Sequence, residues 1–184
     1  MARVLVPFTT GVEEIEFVAV VDLLRRAGIE VCMASLDGKP VTGRSNIILA
    51  ADAALIDVMN QDWDMVVLPG GLSNAHLLRD DADVKTVVER LRAESKTIAA
   101  ICAAPTALAA YGITKGKRVT SYPAFRSDMQ ELQPSSEYVD DAVVEDGFLI
   151  TSRGAGTAVV FALSLIARLC GAEKAEEIRL SIVA

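Results

Sequence analysis

The sequence is poor in the residues that usually announce chemistry. It has one histidine, His76, and three cysteines among 184 residues. Cys32, Cys102 and Cys170 are odd in number and widely spaced. That argues against a disulfide framework and for a reducing, cytoplasmic setting. Neither Cys nor His recurs at the paired spacing of a zinc site, so no metal is expected. Positive charge is also scarce: 18 Lys and Arg stand against 25 Asp and Glu, for a formal net charge of −7. With no basic cluster, nucleic acid and anionic membrane are poor partners. No segment approaches the ~20 consecutive apolar residues of a membrane span. The opening Met1-Ala2-Arg3-Val4-Leu5-Val6-Pro7 reads as a strand. It lacks the long apolar core and small-residue cleavage site of a signal peptide, and none is expected.

What is present is core-forming. Hydrophobic residues make up 52% and charged residues 23%, so a packed globular chain is expected rather than disorder. The length suits a single domain spanning residues 1–184. Apolar β-rich runs alternate with helical patterns, the signature of an α/β protein with a mostly parallel sheet and helices on both faces. Strands are expected at Val4-Leu5-Val6, Ile29 to Ala34, around Ile47-Ile48-Leu49, Asp64 to Pro69 and Thr97 to Ile101. Asp146-Gly147, between Val143-Val144 and Phe148-Leu149-Ile150, signals a hairpin. Thr10 precedes Glu13 by three residues, a capping-box signature for a helix reaching about Arg26, with Gly28 as its stop. Asp52 is expected to cap a short helix to Met59. Further helices are expected over Asp83 to Glu94, Ala103 to Ala110, from the Thr157 loop to near Gly171, and from Ala172 to about Val183.

The first helix is apolar nearly all round, with Ile15, Phe17, Val18, Val20, Val21, Leu23 and Leu24. A surface helix has one apolar stripe. Two burial partners are therefore expected, the sheet and a second copy of the chain, with a covering loop as the alternative to the second copy.

Cys102 falls where the β-branched run Thr97 to Ile101 gives way to Ala103-Ala104-Pro105-Thr106. Pro105 fits a first helical turn, where a missing N–H costs nothing. The pattern resembles a nucleophile elbow, a strained strand-to-helix turn that presents a reactive atom beyond the sheet edge. A helix N-terminus favours thiolate and can lower a cysteine pKa to ~3.5–7.5. Periodicity alone favours reading Cys102 as a small buried hydrophobe. Cys32, mid-strand, and Cys170, at the end of an apolar helix, read as packing residues. Glu13 and Glu14 suit the first turn of a helix, whereas Glu16 lies one turn in, between Ile15 and Phe17. By itself Glu16 reads as a solvated carboxylate rather than as an acid partner for Cys102. Functional groups of open α/β sheets gather at the carboxyl ends of the strands, where the two can meet.

Four segments together resemble the ThiJ/PfpI superfamily and, within it, the parkinsonism-associated protein deglycase branch. They are Gly11-Val12-Glu13-Glu14-Ile15-Glu16, Val66-Val67-Leu68-Pro69-Gly70-Gly71, Ala99-Ala100-Ile101-Cys102-Ala103-Ala104-Pro105 and Thr151-Ser152-Arg153-Gly154-Ala155-Gly156-Thr157. The resemblance covers nearly the whole chain. It implies a flavodoxin-like three-layer fold and a homodimer through the first helix. It implies that Cys102 and Glu16 are catalytic and hydrogen-bonded, and that the N–H groups of Gly71 and Ala103 form an oxyanion pocket. An ionised Glu16 beside a thiolate would put two negative charges together, so the expected state is a Cys102 thiolate beside a protonated Glu16, titrating as a pair. Two departures stand out. Glyoxalase-active relatives carry His in the stretch that here reads Val119-Thr120-Ser121-Tyr122-Pro123, so Tyr122 is expected to take that place as a substrate-binding residue. The peptidase branch has His directly after the cysteine, where this chain has Ala103, so protease activity is not expected.

The expected function is a cysteine-dependent stress-response enzyme acting on small aldehydes, reactive dicarbonyls or their adducts, as a deglycase or glyoxalase, without cofactor or metal. The alternative is an oxidative-stress sensor or redox-regulated chaperone working through oxidation of Cys102. A nucleotide-binding module is a third reading, but Gly70-Gly71 and Gly154-Ala155-Gly156 form neither a P-loop nor a dinucleotide fingerprint. His76 is read as a loop or helix-start residue away from the pocket.

Overall fold

The computed structural model describes residues 1–184. Seven strands form one sheet in the order β10-β11-β7-β6-β1-β2-β5. They are β1 (Arg3–Phe8), β2 (Glu30–Ser35), β5 (Ala53–Ala54), β6 (Met65–Leu68), β7 (Thr97–Ile101), β10 (Val143–Asp146) and β11 (Leu149–Ser152). All pairs are parallel except β10 with β11, the hairpin turned by Asp146-Gly147. Two small ribbons stand outside it: β3 (Val41–Thr42) with β4 (Ile48–Leu49), and β8 (Arg118–Val119) with β9 (Glu137–Tyr138).

The helices divide between the two faces. On one lie α1 (Glu14–Arg26), α7 (Ala158–Cys170) and α8 (Ala172–Ser181). On the other lie α2 (Leu55–Val58), α3 (Leu72–Asp80), α4 (Ala82–Ala93), α5 (Pro105–Ala110) and α6 (Arg126–Leu132). Strand alternation feeds both cores. Val4, Val6, Phe8, Met65, Val67, Ala99 and Ile101 join the α1 side, while Leu5, Val66, Leu68, Ile98 and Ala100 join the other. A central strand buried on both faces reads as a continuous apolar run because it must satisfy two layers. The result is the flavodoxin-like three-layer architecture.

Several local expectations are corrected. Helix α1 begins at Glu14, and its N-cap Glu13 makes no side-chain cap bond, so the Thr10–Glu13 capping box does not form. The acids are drawn elsewhere: Glu13 Oε2 pairs with Arg44 Nη1 at 2.9 Å, and Glu14 Oε1 accepts the Ser45 N–H at 2.8 Å. Asp52 does not cap α2. Its carboxylate accepts the Met33 N–H and an Arg25 guanidinium N–H across the sheet edge. Residues Cys102 to Ala104 form a turn, and the helix that follows starts at Pro105. Helix α3 was not expected. Asp81, following it, caps α4 by accepting the N–H groups of Asp83 and Val84, each at 2.9 Å. The apolar circumference of α1 is largely covered within the chain, by the sheet and by α7. Ile15 and Val18 remain 59% and 47% exposed, so the part left for a partner is narrower than the sequence pattern suggests.

Candidate active site

Because β1, β6, β7 and β11 are adjacent and parallel, their carboxyl ends deliver four loops to one edge of the sheet. These loops carry the segments singled out in the sequence. Cys102 leaves β7 with φ +66°, a left-handed conformation that non-glycine residues seldom adopt. Two backbone bonds hold it there: its N–H donates to Ser152 O at 3.0 Å, and its C=O accepts the Tyr122 N–H at 2.8 Å. Ala104 N–H to Ile101 O closes the turn at 3.1 Å. Such backbone strain persists only where surrounding bonds over-determine it, and it concentrates at functional sites.

Glu16 enters from the first turn of α1, 1% exposed. Its Oε2 accepts the Gly70 N–H at 3.0 Å. Its Oε1 is buried and takes no other hydrogen bond, and it lies on the side of the Cys102 thiol, which perturbs its titration. Gly70 is small by necessity, since a Cβ there would stand 2.5 Å from Cys102 Cβ and collide with the Glu16 carboxylate. Gly71 follows with φ +91°, and a Cβ there would collide with Gly11 O and Glu13 N. Asn74, fully buried on α3, fixes this turn. Its side-chain NH₂ donates to Pro69 O and Gly70 O, and its Oδ1 accepts the Thr9 N–H at 2.8 Å.

Burial raises the Glu16 carboxyl to about 7, with the Glu13 charge adding to it and the Cys102 and Gly70 hydrogen bonds opposing. Burial also pushes the Cys102 thiol up, to about 12, reinforced by the Glu16 charge and hydrogen bond. The N–H groups of Gly71 and Ala103 point at the sulfur and pull the other way. The sequence suggested a thiol lowered by a helix N-terminus. Instead, burial and the adjacent carboxylate outweigh two amide donors and a helix of six residues that starts only at Pro105. The two groups form one titrating unit. It is neutral below about 7, carries one negative charge between about 7 and about 12, and shares one proton over that span.

Cys102 opens into a cavity of about 410 Å³ lined also by Glu13, Arg44, Gly71, Ala103, Tyr122 and Phe125. Of the residues proposed from sequence, Cys102, Glu16, Gly71, Ala103 and Tyr122 thus come together. His76 is exposed on α3 and lies off this cavity. Cys32 is half-buried in β2, where burial raises its pKa, and Cys170 is exposed at the end of α7. Arg44 and Asn74 were not foreseen. Arg44 reaches the site from the β3–β4 loop, and Asn74 is a polar residue in a helix the sequence did not announce.

Fold and site together define an α/β protein with a strained cysteine elbow and a buried acid partner. The chain belongs to the DJ-1/PfpI family, which it matches over residues 2–168. It is 43% identical over 176 residues to Drosophila melanogaster protein dj-1beta, covering 95% of this chain and 92% of that one. The crystal structure of that protein superposes with a TM-score of 0.95 over 100% of this chain and 98% of its own. A Caenorhabditis elegans protein named glutathione-independent glyoxalase DJR-1.2 is 38% identical, with 88% and 85% of the two chains covered. The structure of Toxoplasma gondii DJ-1, oxidized, is 34% identical with a TM-score of 0.94, over 100% and 98% of the two chains.

Proposed function

We propose that this protein is a cysteine-dependent enzyme that converts small α-oxo aldehydes, and the early adducts they leave on amines and thiols, into hydroxy acids. One observation carries the reading: the left-handed turn sets the Cys102 sulfur between the Glu16 carboxyl and the amides of Gly71 and Ala103, at an open cavity. The name of the nematode relative supports a glyoxalase-type reaction.

In methylglyoxal the Cys102 sulfur adds to the aldehyde carbon as its proton passes to the Glu16 carboxylate. The Gly71 and Ala103 N–H groups stabilise the oxyanion, and Glu16 supplies its proton, giving a neutral hemithioacetal. The Glu16 carboxylate then takes the hydrogen of that carbon as a proton. The resulting enediol is reprotonated at the neighbouring carbon, leaving a thioester of lactate. Water hydrolyses the thioester, releasing lactate and restoring the shared proton. Protein groups and water balance each step. With Tyr122 in place of a histidine, Glu16 is the main proton carrier. Conversion of methylglyoxal to lactate by wild type, and its loss in Cys102→Ser, tests the reading. Equal turnover in the variant would sink it.

We further propose a homodimer through α1 in a reducing cytoplasm. Val18 and Ile48 line one apolar groove with Phe17, Val21, Met33 and Leu49, and Ile15, Ile47 and Ile48 stand exposed on the same chain. All three cysteines are free thiols.

A second reading, oxidation sensing, is favoured by the same amides. The N–H groups directed at the sulfur would equally hold the oxygens of a sulfinate, with Glu16 as a hydrogen-bonding neighbour. The oxidized Toxoplasma structure agrees with it. Mild peroxide followed by peptide mass spectrometry tests it: oxidation confined to Cys102 supports a tuned sensor, and equal oxidation of Cys32 and Cys170 counts against one.

A further inference from the structure

The two peptide units that join Pro69, Gly70 and Gly71 carry donors of the site. The first ends in the Gly70 N–H, which donates to Glu16 Oε2 at 3.0 Å. The second ends in the Gly71 N–H, which is directed at the Cys102 sulfur. A trans peptide is planar, so its carbonyl and its N–H point opposite ways and turn together. Whatever holds the two carbonyls therefore aims the two N–H groups. One side chain holds both. From a fully buried position in the first turn of α3, Asn74 Nδ2 donates to Pro69 O at 2.7 Å and to Gly70 O at 3.1 Å. The Thr9 N–H donates to Asn74 Oδ1 at 2.8 Å, so only one orientation of the amide meets all three bonds.

The second unit most needs such an anchor. It lies between two glycines, and no side chain of its own resists rotation about the bonds on either side. Gly70 O also accepts the Glu13 N–H at 3.1 Å, so two donors converge on it. Donors at a carbonyl oxygen polarise the whole peptide group and strengthen its N–H as a donor.

We propose that Asn74 is a positioning residue for the Cys102–Glu16 pair: by binding the Pro69 and Gly70 carbonyls, it aims and strengthens the Gly70 N–H on the acid and the Gly71 N–H on the sulfur. Its own hydrogen bonds go to neither Cys102 nor Glu16. Its effect on turnover rests on the enzymatic reading above, whereas its effect on the pair does not require turnover.

The test is Asn74→Ala, with Leu78→Ala as a control that loosens the same helix at a fully buried residue without touching either peptide. Three quantities are read: the Glu16 carboxyl titration by 13C NMR, the rate of Cys102 alkylation by iodoacetamide at pH 9, and kcat and KM for methylglyoxal. Each N–H favours the charged form of the group it faces. Their misdirection in Asn74→Ala is expected to raise the Glu16 titration by about half a pH unit or more. Alkylation is expected to slow about twofold or more. The kcat is expected to fall about tenfold to a hundredfold, more than KM rises. Glu13 and Arg44, the other charges beside the pair, are bound to each other at 2.9 Å and are left in place. Leu78→Ala is expected to lose stability and keep all three quantities at their wild-type values.

Simple loosening gives the opposite sign. Water admitted to the pair relieves the burial that holds both groups neutral, so the carboxyl titration falls and alkylation speeds up. That result in Asn74→Ala, or no change, or the same upward shift in Leu78→Ala, overturns the role. Should Asn74→Ala fail to fold, wild type answers alone. Scalar couplings across the hydrogen bonds from the Asn74 side-chain nitrogen to the Pro69 and Gly70 carbonyl carbons are expected, and their absence overturns the role. A wild type without turnover, with the titration and alkylation moved as expected in Asn74→Ala, would reject the enzyme and retain the role. Turnover with both unmoved would retain the enzyme and reject the role.

Discussion

The Gly70 amide donates to Glu16 Oε2 at 3.0 Å, and that bond turns the carboxyl so that its other oxygen is left for Cys102. Gly70 thus does for Glu16 what the Ser152 and Tyr122 backbone does for Cys102. It fixes the direction of a group that would otherwise have several.

Gly70→Ala is expected to abolish turnover and cost on the order of 1–3 kcal/mol of stability. The new methyl falls 2.5 Å from Cys102 Cβ and 3.0 Å from Ile101 O, both on a turn with little room to give. Chemical denaturation alongside the methylglyoxal assay checks this. A variant of wild-type stability and activity would show that the turn is looser than described.

Asn74→Leu should be more damaging than an ordinary polar-to-apolar change in a helix. It leaves the Thr9 N–H and the Pro69 carbonyl without their partner in a fully buried place, and leaves Gly70 O only the Glu13 N–H. A loss of about 2–4 kcal/mol is expected, since buried groups stripped of hydrogen bonds cost about 1–3 kcal/mol each and part is recovered by relaxation. Hydrogen exchange should locate the loosening at the Gly70–Gly71 turn.

Glu16 also sets a pH dependence of stability. Its folded pKa of about 7 lies above the ordinary 4.5. Below 4.5 the group is protonated folded and unfolded, and folding pays no charge-burial cost. Between about 4.5 and about 7 only the unfolded chain ionises, so stability falls as pH rises, by at most about 3 kcal/mol. Glu16→Gln should flatten this slope. An unchanged slope in denaturation curves from pH 4 to 8 would mean that burial does not raise this carboxyl.

The proposed dimer gives a prediction at the exposed edge of α1. Val18→Asp places a charge in the groove it shares with Ile48 while leaving the core side of the helix intact. Light scattering should report a dimer for wild type and a monomer for the variant. A monomeric wild type would contradict the dimer.

Much of this arrangement was legible in the chain. Alternation in Val4-Leu5-Val6 and Met65 to Leu68 follows from burial on two faces, and the elbow follows from the run of Ile101 into Cys102-Ala103-Ala104-Pro105. What was not legible depended on distant partners. Glu13 and Glu14 look like helix-start acids until the β3–β4 loop brings Arg44 and the Ser45 amide to them. Asp52 looks like a cap until Arg25 and the Met33 N–H claim it. Asn74 has no local signature, because its reason is the turn it ties from another element. The Cys102 thiol reads as lowered from its place before a helix, and only burial beside Glu16 reverses that.

The most direct test is the rate of Cys102 alkylation by iodoacetamide as a function of pH, in wild type and Glu16→Gln, with the site read by peptide mass spectrometry. With the thiol raised beside the Glu16 carboxylate, the wild-type rate keeps climbing well above pH 7, and Glu16→Gln, which removes the charge and the acceptor that raise the thiol, shifts the midpoint downward. The same midpoint in both proteins would show that the thiol titrates alone and would contradict the paired site.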